Sequence, residues 1–144
     1  MTLNLQITLD TTFFVRHYFS KDARVLQKTK EILRRSVLQG SRGIIPTIVL
    51  SEFYSQAAKR AGAAEAERRF NEILDFGLEV VNLDATISKK AGVLRHKYEE
   101  KLPWGDCLIA TTGIESKSHY IITEDPEFKS FGEIKSRTIE NVSL

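Results

Sequence analysis

Short apolar runs alternate with longer helix-forming segments along the whole chain. The stretch LNLQITL (3–9) has apolar residues at every second position, which predicts a strand that ends at Asp10. Other apolar runs predict strands at 43–46, 78–83 and 119–123, with 138–144 as a candidate fifth strand at the sheet edge. Strands separated by helices predict an α/β protein, a three-layer α/β/α sandwich around a mainly parallel sheet of four to five strands.

The segments between these strands have the apolar spacing of amphipathic helices. Val49, Phe53 and Ala57 recur at four-residue steps, which places them on one helix face. Glycine or proline ends several of these segments, and Asp84 occupies a position suited to an N-cap. The predicted helices cover residues 22–39, 49–61, 63–76, 85–99 and 105–116.

Composition limits the chain to a few classes of protein. A length of 144 residues with 42% hydrophobic and 28% charged residues predicts one globular domain, spanning 1–144. Cys107 is the only cysteine, so no disulfide can form within the chain and a reducing compartment is expected. The first residues lack the pattern of a signal peptide, and no apolar run reaches the ~18 residues of a membrane span. We therefore expect a cytoplasmic protein that does not bind membranes.

The basic residues are clustered, although the net charge is only +2. Basic clusters on helices are usually solvated faces, and a phosphate-binding surface is the alternative interpretation. The clustered residues are Lys28, Lys30, Arg34, Arg35, Lys59, Arg60, Arg68, Arg69, Lys89, Lys90, Arg95 and Lys97.

Four acidic residues map to the same edge of the predicted sheet. Asp10 follows the first strand directly, and Glu52 lies about two turns beyond the end of the second. Asp106 opens the helix that leads into the fourth strand, and Asp125 lies two residues after that strand. Because parallel sheets bind ligands beyond the carboxyl ends of their strands, we expect these carboxylates to converge.

Four clustered carboxylates need a countercharge, since like charges raise each other's pKa values. Mg²⁺ or Mn²⁺ would supply it, because both ions prefer oxygen ligands and act in phosphodiester hydrolysis. Each acid also has a purely structural interpretation. Asp10 is a candidate N-cap, Glu52 a solvated helix position, Asp106 a first-turn acid and Asp125 a turn residue.

Other chemistry is poorly supported by the sequence. The three histidines have no spacing typical of metal ligands, and the scattered glycines form no phosphate-binding loop. Cys107 lies among apolar residues, which predicts a buried side chain rather than a nucleophile. Trp104 and Tyr120 are assigned to core or rim packing, and Glu124 and Glu127 to solvent.

The four acidic segments resemble, in order and spacing, those of the PIN-domain nucleases, particularly the VapC-like toxins of prokaryotic toxin–antitoxin pairs. The resemblance covers essentially the whole chain. The matching segments are LDTTFFV around Asp10, IPTIVLSEFY around Glu52, GDCLIATTG around Asp106 and YIITEDPEF around Asp125.

This resemblance implies an RNA substrate and a site for Mg²⁺ or Mn²⁺. By the match of motifs, Asp10 and Asp106 would be the principal metal ligands, and Glu52 and Asp125 would complete the pocket. Thr123 and Thr12 would support the cluster through their hydroxyls. The resemblance also implies a homodimer and an antitoxin partner, for which Tyr54 and Phe70 are candidate contact residues.

The leading hypothesis is therefore a metal-dependent endoribonuclease that acts as a toxin. An aspartyl-phosphate phosphatase or a receiver domain also places an aspartate after the first strand, but Thr12 stands where such a phosphatase carries a second acid. A non-catalytic RNA-binding protein with the same fold is the third hypothesis, because fold alone does not define function.

Overall fold

A computed structural model describes residues 4–144, so Leu3, the first residue of the predicted strand 3–9, lies outside the described residues. The sheet contains five strands in the order β3-β2-β1-β4-β5, and all four neighbouring pairs are parallel, which confirms the predicted α/β sheet. The strands are β1 (Gln6–Leu9), β2 (Arg42–Pro46), β3 (Glu79–Val81), β4 (Tyr120–Ile122) and β5 (Lys135–Arg137).

Six α-helices and one 3₁₀ helix surround the sheet in the described part of the chain. All five helices predicted from the apolar spacing are present, with ends within a few residues of the prediction. Asp84 caps α5, as predicted, by accepting a hydrogen bond from the Ile87 backbone N–H at 2.8 Å. The helices are α1 (Thr11–Phe19), α2 (Ala23–Ser36), α3 (Thr47–Ala61), α4 (Ala63–Asp75), α5 (Ala85–Lys97), α6 (Trp104–Glu115) and the 3₁₀ helix Pro126–Ser130.

The prediction of a fifth strand at 138–144 is wrong. The edge strand β5 lies earlier, at Lys135–Arg137, and pairs in parallel with β4. Its sequence KSR has no apolar alternation, because an edge strand with exposed side chains does not need one. Ile139 and Val142 made the later segment resemble a strand, but both are buried there in a turn closed by the backbone bond from Val142 N–H to Ile139 C=O.

Helices cover both faces of the sheet, which confirms the three layers. Gly43 is in register with Ile7, and a Cβ on Gly43 would lie 2.8 Å from the Cβ of Ser36, so α2 packs on that face. The neighbouring residue Thr8 faces the opposite side, where a Cβ on Gly113 of α6 would lie 3.2 Å from its Oγ1. The absence of a side chain at Gly113 therefore lets α6 lie close to the first strand.

The apolar core lies between these layers and supports the carboxyl edge of the sheet. Phe13, Phe14 and Phe53 are fully buried where α1 meets α3, and the Phe14 and Phe53 ring centroids are 6.2 Å apart. Phe128 of the 3₁₀ helix is also buried, which anchors the segment after β4. Among the described residues no helix is both long and apolar enough to cross a membrane.

Candidate active site

The proposed site lies where the order of strands along the sheet reverses direction. The chain runs from β1 outward to β2 and β3, then returns to place β4 on the other side of β1. Asp10 directly follows β1 and caps α1, and Thr123 directly follows β4. Because a crevice forms between loops that leave the sheet in opposite directions, such a point is the usual ligand site of an open α/β sheet.

Asp10 is held by hydroxyl groups from both sides of this crevice. Its Oδ2 accepts hydrogen bonds from Thr123 Oγ1 at 2.6 Å and from Thr12 Oγ1 at 2.8 Å, with a longer contact from the Thr12 backbone N–H at 3.4 Å. Asp10 is only 3% exposed, and its burial raises the pKa, an effect that these hydrogen bonds partly offset. The carboxylate is therefore fixed in position by its partners.

The two threonines connect Asp10 to the backbone of the next loop. Thr12 Oγ1 accepts a bond from the Glu124 N–H at 2.9 Å, and Thr123 Oγ1 accepts one from the Asp125 N–H at 3.0 Å. Each hydroxyl thus accepts from the loop and donates its single proton to Asp10. The predicted supporting positions of Thr12 and Thr123 correspond to this relay of hydrogen bonds.

Glu52 reaches the same crevice from the second turn of α3. Its Oε1 accepts a hydrogen bond from Thr11 Oγ1 at 2.7 Å. Its pKa is raised, mainly by burial and further by the charge on Asp10, while the bond from Thr11 lowers it. A Cβ on Gly105 would lie 2.9 Å from Glu52 Oε2, so the absence of a side chain at Gly105 leaves room for this carboxylate beside α6.

Asp106, in the first turn of α6, is the least satisfied acid of the group. Its Oδ2 is buried and has no hydrogen-bond partner among the described residues. Burial, followed by the negative charges of Asp125 and Asp10 and the proximity of Glu127, raises its pKa to about 7. A helix N-terminus normally favours the ionised form, so the surrounding carboxylates and burial outweigh the helix dipole here.

Two acids that the sequence assigned to solvent belong to the pocket region. Glu127 is exposed, but its carboxylate, with those of Asp106 and Asp125, supplies oxygens that lie within 4.8 Å of one another. Asp125 caps the 3₁₀ helix by accepting from the Glu127 N–H at 2.9 Å, which brings the two side chains together. Glu124 is partly buried and accepts from the Ile139 N–H at 3.2 Å. In the sequence, the signal for Glu127 was its position two residues after Asp125.

All four predicted acids line one open cleft of about 720 Å³. Asp10 and Glu52 stand on the β1–β2 side, and Asp106 and Asp125 on the side of α6 and β4. The tight group of carboxylates described above consists of Asp106, Asp125 and Glu127. Asp10 and Glu52 lie in the cleft beside this group but do not belong to it. We refer to this cleft with its four acids as the acidic pocket.

The residues present fit a hard divalent cation. The donors are all oxygens, which suits Mg²⁺ or Mn²⁺, and no histidine or cysteine lines the pocket among the described residues. The buried Oδ2 of Asp106 has no hydrogen-bond donor among the described residues, and the raised pKa of its carboxyl shows that the ionised form is disfavoured without a countercharge. A bound cation would supply that countercharge.

The remaining candidate residues lie outside the pocket. Cys107 is buried, as predicted. His17 Nδ1 is 2.7 Å from Thr29 Oγ1 between α1 and α2, and burial lowers its pKa to about 4. Trp104 is half exposed, with the Arg95 guanidinium 4.6 Å from its ring centroid. These contacts give the three side chains packing roles.

The fold and the arrangement of acids define a known class. The family model of the PIN domain matches residues 7–134, and the chain belongs to the PIN domain family. Its fold is that of the VapC-like members, which confirms the resemblance inferred from the four motifs. No curated protein sequence matches the chain significantly.

Solved structures with low sequence identity share this fold. A chain of the DNA-bound VapBC complex from Salmonella typhimurium has a TM-score of 0.75 at 21% identity, covering 94% of this chain and 98% of that one. VapBC2 from Rickettsia felis, bound to a promoter DNA fragment, gives 0.72 at 19%, covering 92% and 97%. Mycobacterium tuberculosis VapC20, described as a toxin that cleaves the sarcin–ricin loop, gives 0.70 at 18%, covering 90% and 98%.

Proposed function

We propose that this chain is a metal-dependent endoribonuclease and the toxin component of a toxin–antitoxin pair. The observation that carries the proposal is the convergence of Asp10, Glu52, Asp106 and Asp125 on one cleft in a chain of the PIN domain family. The likeness to VapC20, a toxin described as cleaving the sarcin–ricin loop, supports RNA as the substrate class.

Asp106, Asp125 and Glu127 would hold the cation most directly, because their carboxylate oxygens are already grouped. Asp10 and Glu52 would complete the site from the opposite wall of the cleft. When bound, Mg²⁺ or Mn²⁺ supplies Lewis-acid stabilisation of the charge that develops on phosphate oxygens and lowers the pKa of a nearby water.

The chain's own residues orient the site and couple cation binding to proton release. The hydroxyls of Thr12 and Thr123 fix the rotamer of Asp10, so this carboxylate needs little reorganisation during the reaction. Without a cation, burial and the neighbouring carboxylates raise the pKa of Asp106 to about 7, so its carboxyl carries a proton over part of the neutral range. A cation bound at Asp106 would displace that proton, so the affinity for the cation should fall as the pH is lowered.

The contacts of Asp10 weigh against the phosphatase and receiver hypotheses. An aspartyl-phosphate nucleophile must present an oxygen to phosphorus. Asp10 is 3% exposed and its Oδ2 already has two short bonds from hydroxyls, which suits a positioned ligand better than a nucleophile.

An antitoxin partner and a homodimer are part of the proposal. The similar structures from Salmonella typhimurium and Rickettsia felis are VapBC complexes, and a third, from Klebsiella pneumoniae, is a toxin–antitoxin complex. The predicted contact residues Tyr54 and Phe70 are partly buried and pack against each other between α3 and α4, with ring centroids 6.1 Å apart.

The test is cleavage of labelled single-stranded and stem-loop RNAs by the purified chain with Mg²⁺ or Mn²⁺, and with EDTA. We expect cleavage that EDTA abolishes and that Asp106→Asn lowers by about 100-fold or more, since removal of one electrostatic group from such a site typically costs 10²–10³. Asp84→Asn is the matched control, because Asp84 caps α5 outside the pocket. Equal cleavage by the wild type and Asp106→Asn would contradict the proposal.

A further inference from the structure

A second groove adjoins the acidic pocket along the edge strand. It has a volume of about 710 Å³ and runs between the 3₁₀ helix, β5 and the turn that follows β5. Glu124 and Asp125 line both the groove and the acidic pocket, so the two spaces adjoin at these residues. We call this space the β5 groove.

Three cations line the β5 groove without a carboxylate partner. Lys129, Lys135 and Arg137 are all exposed, and none forms a side-chain hydrogen bond or an ion pair with another residue in 4–144. None belongs to the basic clusters noted in the sequence. Their charges are therefore available to a ligand in the groove.

Many of the basic residues that the sequence does cluster are ion-paired instead. Arg34 and Arg35 share Glu31, and Arg68 and Arg69 share Glu65. Lys90 pairs with Glu115 and Lys97 with Glu133. Such exposed pairs on helix faces agree with the solvated-face interpretation and leave less free positive charge for a polyanion.

The position of Arg137 is fixed by its surroundings. Its guanidinium carbon lies 4.9 Å from the ring centroid of Tyr120 on the neighbouring strand. Its backbone C=O accepts from the Thr123 N–H at 2.9 Å, at the residue whose hydroxyl binds Asp10. The backbone of Arg137 is therefore hydrogen-bonded to a residue that also binds Asp10 in the acidic pocket.

We propose that the β5 groove binds the phosphates of the RNA strand on one side of the cleaved bond. This inference deepens the proposed function and rests on it for the identity of the polyanion. Arg16 and Arg60 line the acidic pocket on the side of α1 and α3, but the carboxylates repel a phosphate chain, so a strand that leaves the pocket past Asp125 requires further positive charge there to remain bound. Lys129, Lys135 and Arg137 supply that charge where the cleft opens beside Asp125.

An acidic protein segment is the competing occupant of a basic groove. RNA is favoured because the groove adjoins the acidic pocket, where a bound cation would coordinate the phosphate of the cleaved bond, whereas an acidic peptide would bring carboxylates to the pocket without a bond to cleave. Polar residues Ser136, Thr138 and Asn141 also line the groove and offer hydrogen bonds to phosphate and sugar oxygens.

The experiment compares two matched double variants, Lys129→Gln/Lys135→Gln in the groove and Lys89→Gln/Lys117→Gln on α5 and after α6. All four lysines are exposed without an ion pair in the described residues, and both variants remove two charges. The anisotropy of a short labelled single-stranded RNA is titrated in EDTA over a series of KCl concentrations, with polyglutamate as a second probe. Thermal unfolding confirms that both variants fold.

We expect the groove variant to bind RNA about tenfold more weakly and the salt slope to fall by about 1.4, because each lost phosphate contact in a single strand removes about 0.7. The control variant should match the wild type within about twofold. Arg137→Gln, whose contact with Tyr120 is a structural complication, should show a smaller loss of the same kind.

Unchanged affinity and slope in the groove variant overturn the inference, as does a loss confined to polyglutamate, which assigns the groove to an acidic protein. Cleavage with Mg²⁺ or Mn²⁺ is measured separately. If the wild type cleaves RNA and the groove variant binds normally, only the inference fails. If the wild type does not cleave at all, the proposed function fails, and the binding data still decide the role of the groove.

Discussion

Asp10 and Asp106 face the same cleft but have opposite environments. Asp10 is buried behind two threonine hydroxyls that donate to one of its oxygens, and it also caps α1. Asp106 has a buried oxygen without a hydrogen-bond donor, and its nearest charged neighbours are carboxylates. One aspartate is therefore satisfied by the protein itself, whereas the other is not.

Because of this difference, Asp10 contributes mainly to the stability of the fold, and Asp106 contributes mainly to cation binding. Bonds to Asp10 join β1, α1 and the loop after β4, so they stabilise the fold and set the shape of the pocket. The environment of Asp106 costs stability when its carboxyl is ionised, and either protonation or a bound cation removes that cost. The four predictions below test this contrast, from the largest expected change to the smallest.

Alanine at the two positions should affect folding very differently. Asp10→Ala removes an N-cap and the acceptor of two hydroxyls, one buried on Thr123 and one partly buried on Thr12, so we expect a loss of about 3 kcal/mol in the free energy of unfolding. Asp106→Ala should not lower it, since it removes no hydrogen bond of the unpartnered oxygen and, as the pH approaches 7, also removes a carboxyl whose ionised form is disfavoured. Urea unfolding in EDTA measures both.

Asp84→Ala is the control for the capping part of this effect. It removes a cap bond to Ile87 N–H at an exposed site and should cost only about 1 kcal/mol. Equal losses for Asp10→Ala and Asp84→Ala would show that the threonine bonds to Asp10 contribute little, and the contrast with Asp106 would then be wrong.

Much of the fold follows from the sequence because periodicity reflects burial. The predicted strands at 43–46, 78–83 and 119–123 overlap β2, β3 and β4. Burial of β2 and β4 requires apolar side chains, and β3, although it is an exposed edge strand, still carries two valines that are typical of strands. The edge strand β5 was misplaced because its side chains are largely exposed and carry no such signal. Apolar residues that are buried in a turn, such as Ile139 and Val142, imitate a strand.

Site residues that directly follow a strand could be predicted about as well as the strand ends themselves. Asp10 and Asp125 were located because each follows an apolar strand, and the structure places them on one cleft. Glu127 was not recognised, because its approach to Asp106 depends on the 3₁₀ turn after Asp125. The unpaired cations of the β5 groove could not be identified either, since ion pairing depends on tertiary neighbours.

The raised pKa of Asp106 predicts a specific dependence of stability on pH in the metal-free protein. The unfolded carboxyl titrates near 3.8 and the folded one near about 7, so the native state binds the proton more tightly. Its stabilising effect is complete below the unfolded pKa and is lost as the pH rises towards about 7. Asp106→Asn should therefore gain about 1–2 kcal/mol relative to the wild type across this window, after allowance for solvent screening.

His17 titrates in an overlapping window with the opposite sign. Its pKa falls from 6.5 to about 4 on folding, so the stability associated with it is lost as the pH falls below 6.5. This contribution is common to the wild type and Asp106→Asn and cancels in their difference. A difference that does not change with pH would show that the Asp106 carboxyl is not strained by its neighbours.

Thr123 and Thr111 are both buried, but only the hydroxyl of Thr123 has hydrogen-bond partners among the described residues. Thr123 donates to Asp10 and accepts from the Asp125 N–H, whereas Thr111 Oγ1 is buried with no partner among the described residues. Thr123→Val should cost about 1–2 kcal/mol, and Thr111→Val should be neutral or slightly stabilising, because both replace a hydroxyl by a methyl of similar size. Thermal unfolding compares the two variants, and equal losses would contradict the proposed role of Thr123 in the relay.

Gly105→Ala should alter the pocket while leaving the fold nearly unchanged. The added Cβ would lie 2.9 Å from Glu52 Oε2, and the carboxylate of a flexible side chain can move away at little cost. We expect a change in stability within about 1 kcal/mol, because alanine also favours the helix that begins at Trp104. Since Glu52 would leave its position beside Thr11, the affinity for Mn²⁺ measured by calorimetry should fall by about tenfold, the lower end of the effect of removing a group that orients a metal ligand.

Gly92→Ala, where an added Cβ meets no atom within 4 Å, is the matched control. Equal Mn²⁺ affinity in both variants would place Glu52 outside the cation site and leave Asp106, Asp125 and Glu127 as its ligands.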